Sequence, residues 1–213
     1  MEILRTVDDM RGWRARLSQD IRVGFAPTMG NLHAGHVSLI HTAKAHADLA
    51  VASIFVNPMQ FGPGEDLESY PRTLEVDLAK LQAAGADAVF IPRVEDIYPE
   101  GIDQHTSVDM PDLTDVLCGA QRPGHFRGVT TVVSKLLGVV RPHIAFFGAK
   151  DLQQVLVIKK MVRDLLINVE IVTVPTLRDP DGLAMSSRNG YITPEERALA
   201  PNFAAALTAC ALT

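Results

Sequence analysis

The 213-residue chain is 47% hydrophobic and 21% charged, a balance typical of a globular protein with a sizeable core. Its net charge of −5 disfavours a nucleic-acid-binding surface, and no apolar run approaches the roughly 18 residues that a membrane-spanning helix needs. Two cysteines, Cys118 and Cys210, are too few for a disulfide framework. Together with an N-terminus that lacks a signal-peptide pattern, they favour a cytoplasmic location.

Short apolar runs alternate with helical segments along the chain. In chain order the pattern predicts a helix at 8–17, a strand at 21–26, a helix at 35–47, a strand at 49–56, a helix at 73–84, strands at 88–92 and 106–110, a helix at 129–139, a strand at 144–147, a helix at 152–166, a strand at 169–174 and a helix at 202–212. Apolar strands alternating with amphipathic helices predict an α/β fold, a Rossmann-like doubly wound parallel sheet with helices on both faces.

The pattern changes after Pro175, where the segment 178–182 (Arg-Asp-Pro-Asp-Gly) is a strong turn signal. We therefore expect a Rossmann-like domain over residues 1–175 and a partial C-terminal lid domain over 176–213. The second segment is too short to build its own core. The chain is expected to stop part-way through a smaller C-terminal domain, which would then be truncated.

The first candidate site motif follows the first long strand and precedes a helix. It consists of Pro27-Thr28-Met29-Gly30 and then His33-Ala34-Gly35-His36. A tight turn that leads into a helix presents backbone N–H groups that can hold phosphate. Imidazole N–H groups at the same place can donate to an oxygen on which negative charge develops. The motif predicts chemistry on a nucleoside triphosphate.

Two further polar clusters allow both a functional and an ordinary interpretation. Asn57 and Gln60 follow the next strand, where their amides either bind a small polar substrate or belong to an ordinary polar loop. Arg122 and His125 stand among glycines ahead of another helix. They either hold a carboxylate or phosphate or form a solvated basic loop.

The last two clusters complete the pattern. Lys150 is a point charge suited to phosphate oxygens, and Asp151 either caps a helix or binds a sugar hydroxyl. The segment 185–189 (Met-Ser-Ser-Arg-Asn) is unremarkable alone. With the histidine motif upstream, it is the expected loop that closes over the outer phosphates. The sequence contains no P-loop and no Gly-x-Gly-x-x-Gly motif, which disfavours ordinary kinases and dehydrogenases.

In this order the motifs resemble the pantothenate synthetase (pantoate–β-alanine ligase) family of the His-x-Gly-His nucleotidyltransferase superfamily. The resemblance rests on segments 27–30, 33–36, 53–61, 70–73, 122–129, 146–151 and 185–189. It implies that the carboxylate of pantoate attacks the α-phosphate of Mg-ATP, which gives pantoyl adenylate and pyrophosphate. The amine of β-alanine then attacks the activated carbonyl, which gives pantothenate and AMP.

The resemblance also implies roles for individual residues, and it makes residues 1–175 the nucleotide- and pantoate-binding domain. His33 and His36 would stabilise the reacting α-phosphate, while the outer phosphates would be held by Lys150, Ser186, Ser187 and Arg188. The nucleotide pocket would include Pro27, Thr28, Met29, Gly35, Phe147, Gly148, Asp151 and Met185. The other substrates would be bound by Asn57, Gln60, Arg122, His125 and Gln154. Asp77 would help place Mg²⁺, with Val76 standing where relatives often carry a second acid.

The implied partners are the small molecules ATP, pantoate and β-alanine, with Mg²⁺, in a homodimer and with no nucleic acid or membrane. Two alternatives stay open at this point. The chain is either a related nucleotidyltransferase that acts on another small acid, or a truncated, catalytically impaired nucleotide-binding form. Asn31 stands where the family motif commonly has a small apolar residue, a replacement expected to have no consequence.

Overall fold

A computed structural model describes residues 1–211, apart from the side chain of residue 211. The strands are β1 (Glu2–Leu4), β2 (Val23–Thr28), β3 (Leu49–Ile54), β4 (Ala88–Phe90), β5 (Ile144–Gly148) and β6 (Glu170–Val174). The helices are α1 (Val7–Ala15), α2 (Ala34–His46), α3 (Leu74–Ala83), α4 (Val94–Ile97), α5 (Cys118–Gln121), α6 (His125–Val140), α7 (Leu152–Asp164), α8 (Pro194–Leu199) and α9 (Pro201–Ala211). Single 3₁₀ turns lie at Pro58–Gln60, Ala149–Asp151 and Ser187–Tyr191.

The strands form one parallel sheet in the order β1-β4-β3-β2-β5-β6. At its centre Phe25 of β2 pairs with Val51 of β3 on one side and with Ala145 of β5 on the other. The chain runs outward from β2 through β3 to β4, then returns to β5 on the opposite side of β2. The strand order therefore reverses between β2 and β5, where doubly wound sheets bind ligands beyond their carboxyl ends. The predicted Rossmann-like α/β fold is confirmed.

Each face of the sheet has its own apolar core. On one face, α2 and α3 bury side chains such as Ile40 and Leu81 against the strands. On the other face, α1, α6 and α7 contribute Trp13, Leu136 and Ile158 to a larger cluster. Each large apolar side chain buried in this way contributes about 1.5–3 kcal/mol relative to its exposed form. The sheet is therefore a rigid base for the loops that follow its strands.

The region between β4 and α6 differs from the prediction. The strand predicted at 106–110 is wrong, because these residues form no regular secondary structure. Instead the backbone of Val108 is held by α6, since its N–H donates to Thr131 Oγ1 at 2.9 Å and its carbonyl accepts from Thr130 Oγ1 at 2.6 Å. Side-chain hydroxyl groups thus replace a strand ladder. Strand β1 was not predicted, and it pairs with β4 at the edge of the sheet.

Beyond β6 the chain forms a short bridge between Arg178 and Ala184 and then the 3₁₀ turn, α8 and α9. Arg197 of α8 forms ion pairs with Asp179 and Asp181, which fasten this helix to the preceding turn. Leu212 and Thr213, which belong to the predicted helix 202–212 and the predicted domain 176–213, lie outside the described residues. In the part of the chain that the structure describes, no helix is long and apolar enough to cross a membrane.

Candidate active site

A cleft of about 210 Å³ opens at the carboxyl ends of β2 and β5, where the strand order reverses. Most of the predicted site residues line it: Pro27, Met29, His33, Gly35, His36, Gln60, Arg122, His125, Phe147, Gly148, Lys150, Asp151, Gln154, Met185, Ser186, Ser187 and Arg188. Thr28 and Asn57 line a second cavity of about 170 Å³ that shares several of these walls. Tyr70 lines the cleft without having been predicted as a site residue.

The histidine loop, residues 29–33, joins β2 to α2 and fixes the two imidazole rings against the backbone. His33 Nδ1 accepts from the Gly35 N–H at 3.1 Å, and His36 Nδ1 accepts from the His33 N–H at 3.3 Å. Because Nδ1 of each ring is an acceptor, the neutral ring carries its proton on Nε2. The two ring centroids are 4.1 Å apart. The fold thus supplies two adjacent Nε2–H donors on side chains that line the cleft.

Gly35 is required by the close approach of the His33 ring. A Cβ atom added at residue 35 would lie 2.9 Å from His33 Cε1 and Nδ1, a distance that real Cβ atoms essentially never show. The glycine of the His-x-Gly-His motif therefore leaves the space in which the first ring sits.

Both histidines are held neutral by their surroundings. Loss of hydration lowers the pKa of His36 to about 3, and the neighbouring charges of His33, Lys150 and Lys80 act in the same direction. The pKa of His33 is also lowered, first by desolvation and then by Lys150 and Lys80. At neutral pH the rings are therefore hydrogen-bond donors without a charge of their own.

The lowered pKa of His36 predicts a specific acid sensitivity. A histidine buried in its neutral form contributes stability that is complete above its ordinary pKa of 6.5 and is lost as pH falls toward about 3. We expect the melting temperature to fall more steeply between pH 6.5 and pH 4 for the wild type than for His36→Gln. His46→Gln, at the exposed end of the same helix, is the matched control and should keep the wild-type slope. Equal slopes for all three proteins would contradict this assignment.

Three cations border the cleft, and they differ in how firmly carboxylates hold them. Arg122 forms a bidentate pair with Glu65 at 2.6 and 2.5 Å, and Arg188 forms one with Asp66 at 2.9 and 2.8 Å. Lys150 Nζ lies 3.4 Å from the nearest oxygen of its neighbour Asp151. Of these three side chains, Lys150 thus has the loosest carboxylate partner and the most available charge.

The segment after β6 is docked on the histidine loop by reciprocal hydrogen bonds. Ser187 Oγ donates to the Asn31 carbonyl at 3.1 Å, and Asn31 Nδ2 donates to the Ser187 carbonyl at 3.3 Å. The expectation that Asn31 would have no consequence therefore missed a contact at the site. The signal was a polar residue at a commonly apolar position of the motif.

A chain of hydrogen bonds from the buried side chains of Tyr98 and Asn57 orients the half-buried Gln60. The Gly128 carbonyl can only accept, so the Asn57 Nδ2 group must face it, at 3.1 Å. The second hydrogen of that group donates to Gln60 Oε1 at 3.2 Å, and the Tyr98 hydroxyl donates to Asn57 Oδ1 at 2.7 Å. Gln60 Nε2 consequently lies on the side of Met29, 3.1 Å from its Sδ. We call the set Tyr98, Asn57 and Gln60 the amide relay.

Arg122 and His125 contact the backbone of the same turn. His125 Nδ1 lies 2.8 Å from the Gln60 carbonyl and donates to it, because a carbonyl oxygen can only accept. Arg122 Nη2 donates to that carbonyl as well, at 3.3 Å. Burial lowers the pKa of His125. Both side chains therefore brace the turn that carries Gln60 while they line the cleft.

Asp77 lies under the histidine loop, on α3. The residue is 1% exposed. Its Oδ2 accepts from the Asn31 N–H at 2.8 Å and from Thr73 Oγ1 at 3.1 Å, and its Oδ1 accepts from the Leu32 N–H at 2.7 Å. Within residues 1–211, no group of three or more His, Cys, Asp or Glu side chains is placed to hold a metal ion. The burial of Asp77 and its hydrogen bonds to the protein do not fit the expectation that its carboxylate holds Mg²⁺.

Comparison with known proteins identifies the family. The model of the family described as pantoate-beta-alanine ligase matches residues 2–212. The chain belongs to the pantoate-beta-alanine ligase family. The pantothenate synthetase of Shewanella oneidensis is 55% identical over 209 residues, which cover 96% of this chain and 73% of that protein. The Pseudomonas aeruginosa pantothenate synthetase is 54% identical over 202 residues, covering 94% and 71%.

Solved structures of ligases in this family share the fold. The crystal structure of the pantothenate synthetase from Thermus thermophilus matches with a TM-score of 0.92 at 52% identity, covering 98% of this chain and 74% of that one. The Francisella tularensis pantoate-beta-alanine ligase, crystallised with beta-gamma ATP and beta-alanine, matches with a TM-score of 0.90 at 40% identity, covering 95% and 77%. Membership of the pantoate-beta-alanine ligase family makes this chain an ATP-dependent ligase.

Proposed function

We propose that the cleft ligates pantoate to β-alanine in two steps. In the first, a carboxylate oxygen of pantoate attacks the α-phosphorus of ATP, the bond to the bridging oxygen breaks, and pantoyl adenylate and pyrophosphate form. In the second, the amine of β-alanine attacks the activated carbonyl carbon, loses a proton and expels AMP. The observation that carries this proposal is the placement of two neutral Nε2–H donors and Lys150 in one cleft at the reversal point of the sheet.

The first step brings two anions together, so the site must supply positive charge and orientation. His33 and His36 would donate to the oxygens of the α-phosphate, where charge increases as the pentavalent transition state forms. The outer phosphates would be held by Lys150, Ser186, Ser187 and Arg188, with Arg188 exchanging Asp66 for phosphate. The nucleoside would lie against Pro27, Thr28, Met29, Gly35, Phe147, Gly148, Asp151 and Met185, most of which line the cleft.

The second cavity suits pantoate. One wall is apolar, formed by Phe55, Val129, Val132, Val133 and Leu136, and can accept the two methyl groups of pantoate. Gln60 and Gln154 line both cavities, so their amides can bind the hydroxyl and carboxylate oxygens where the cavities meet. Arg122 and His125 would support this part of the site through the Gln60 turn, and Asn57 would act through the amide relay.

Several wider expectations enter as proposals. ATP would arrive as its magnesium complex, with Mg²⁺ held by phosphate oxygens, which this hard cation prefers. Residues 1–175 would form the nucleotide- and pantoate-binding domain and residues 176–213 part of a lid. The contacts of Ser187 with Asn31 and of Arg188 with Asp66 support the role of the later segment as a lid. A homodimer and a cytoplasmic location remain predictions from the resemblance and the composition.

Pantoate-dependent exchange of labelled pyrophosphate into ATP, with β-alanine omitted, tests the proposed first step. Exchange that requires pantoate is the expected result. Equal exchange with other small hydroxy acids would instead indicate a related nucleotidyltransferase with a different substrate. ATP binding without exchange would indicate a nucleotide-binding form that does not activate pantoate.

The amide relay gives a prediction about pantoate. Tyr98→Phe keeps the buried ring but leaves Asn57 Oδ1 without its donor, so Gln60 loses its fixed orientation. We expect the KM for pantoate to rise about tenfold, the cost of one buried hydrogen bond, with the KM for ATP unchanged. Thr131→Val is the matched control, because it removes a buried hydroxyl that holds the loop before α6 without touching Gln60. Equal effects of the two variants on pantoate would refute the relay.

A further inference from the structure

Two side chains of α3 form hydrogen bonds with the backbone of the histidine loop. Asp77 accepts the consecutive N–H groups of Asn31 and Leu32, at 2.8 and 2.7 Å. Lys80, one turn further along the helix, donates its ammonium group to the Leu32 carbonyl. The carboxylate of Asp77 thus accepts from two N–H groups of the loop, and the ammonium group of Lys80 donates to one of its carbonyl groups. Hydrogen bonds to charged groups are roughly twice as strong as neutral ones. These contacts therefore stabilise the loop more than neutral hydrogen bonds would.

The backbone of the loop needs such support. Gly30 and Asn31 both have positive φ, 84° and 48°, a region that costs conformational free energy at Asn31 although asparagine tolerates it better than most residues. The turn also points two consecutive N–H groups in one direction, which leaves them unpaired unless one anion accepts both. A Cβ atom at residue 30 would lie 3.2 Å from Asp77 Oδ2, so the carboxylate packs directly under the turn.

Two parts of the site depend on the position of this loop. The backbone N–H of His33 donates to His36 Nδ1 and so fixes the orientation of the His36 ring. His33 follows Leu32 directly in the chain. The Asn31 carbonyl receives Ser187 Oγ, which docks the segment after β6. A shift of residues 31–32 would therefore move both the imidazole donors and the phosphate-binding loop.

We propose that Asp77 is a positioning residue of the histidine loop and not a magnesium ligand. Its catalytic consequence rests on the proposed function, whereas its effect on the loop does not. Its two oxygens accept from Asn31, Leu32 and Thr73. The residue is buried, and it does not belong to the lining of the cleft. It acts on the reaction through the histidines, which are correctly placed only while the turn keeps its shape.

Asp77→Asn tests the proposal. An asparagine has one acceptor oxygen where the aspartate has two. One of the two N–H groups of the loop therefore loses its acceptor and faces the NH₂ group of the asparagine instead. We expect kcat for pyrophosphate exchange to fall about 50-fold, since displacement of catalytic groups by about 1 Å costs on that order. The KM for pantoate and the Mg²⁺ concentration that gives half-maximal rate should stay within threefold. The amide protons of Asn31 and Leu32 should exchange with solvent faster, as followed by NMR.

The controls separate the possible outcomes. Asp87→Asn is the matched control. The Asp87 carboxylate also accepts from a backbone N–H group, that of Ala50 at 2.7 Å, but it lies at the opposite end of the sheet. This variant should leave exchange activity unchanged. If Asp77→Asn does not fold, Thr73→Val removes one of the three bonds to Asp77 and should show the same amide effect with a smaller loss of rate. A large rise in the Mg²⁺ requirement, with the rate restored by excess Mg²⁺, would overturn the proposal, and so would unchanged amide protection. If the wild type shows no pantoate-dependent exchange, the proposed function fails while the amide measurement still decides the role of Asp77.

Discussion

Replacing His36 with alanine is expected to slow pantoate-dependent pyrophosphate exchange about a thousandfold, because a donor aimed at developing charge is lost. ATP affinity should change only a few-fold, since the proposed site holds the phosphates mostly through other side chains. The rate of the wild type should also stay flat through pH 6.5, because His36 with a pKa of about 3 stays neutral there and acts as a donor rather than as a titrating acid.

The measurement is initial-rate exchange at saturating ATP and pantoate, with ATP affinity determined separately by calorimetry. His41→Ala, an exposed histidine on the same helix, is the control and should retain the wild-type rate. His36 also accepts the His33 N–H, so the loss should not be additive with that of His33→Ala. A fall of less than about tenfold would mean that the histidine pair does not stabilise the transition state.

Lys150→Met is expected to lower kcat/KM for ATP by about 10²- to 10³-fold. Lys150 holds the most available positive charge among the three cations of the cleft, and the reaction needs charge beside a triphosphate. Lys150→Arg should recover only part of the loss, because a planar guanidinium does not reproduce a compact ammonium group.

A second signature distinguishes Lys150 from a merely structural residue. Its charge lowers the pKa of both His33 and His36, so Lys150→Met should raise the pKa of both rings in an NMR titration. Lys160→Met, on α7 and paired with Asp164, is the matched control and should change neither ATP turnover nor these rings. Unchanged ATP kinetics together with unchanged histidine titration would contradict the role assigned to Lys150.

The sequence predicted the sheet and the location of the cleft because both follow from local patterns. Apolar runs bounded by turn residues mark the strands, and the polar clusters that follow β2 and β5 meet where the order of strands reverses. Strand β2 was predicted to end at residue 26, before Pro27. It continues to Thr28, and Pro27 lies opposite Ser53 in the parallel register with β3.

What the sequence did not predict were the long-range partners of buried polar groups. Asp77 was expected to bind a metal ion, yet its partner Asn31 lies 46 residues away and belongs to the backbone of another loop. Asn57 was expected to bind substrate, and its amide is used by the Gly128 carbonyl, 71 residues away. A polar side chain can thus be hydrogen-bonded to backbone groups far away in the sequence, and only the fold shows which groups these are.

The start of α6, which contains Gly128, also differs from the prediction. This segment suggested a loop, and α6 was expected to begin near Val129, but it begins at His125 and includes Gly128. A Cβ atom at residue 128 would lie 2.5 Å from the Met59 carbonyl oxygen, so the glycine permits close approach of the helix to the Gln60 turn.

The pairing of β2 with β5 has a consequence for how the protein is made. Val23 and His143, which are hydrogen-bonded at the start of these strands, lie 120 residues apart in the chain. Such non-local pairings form late and slowly during folding. A nascent chain that has produced only β2 and α2 carries the histidines without Lys150 and offers no complete place for a nucleotide. ATP bound in the cleft then stabilises only the finished fold, by holding together the parts of the chain that meet last.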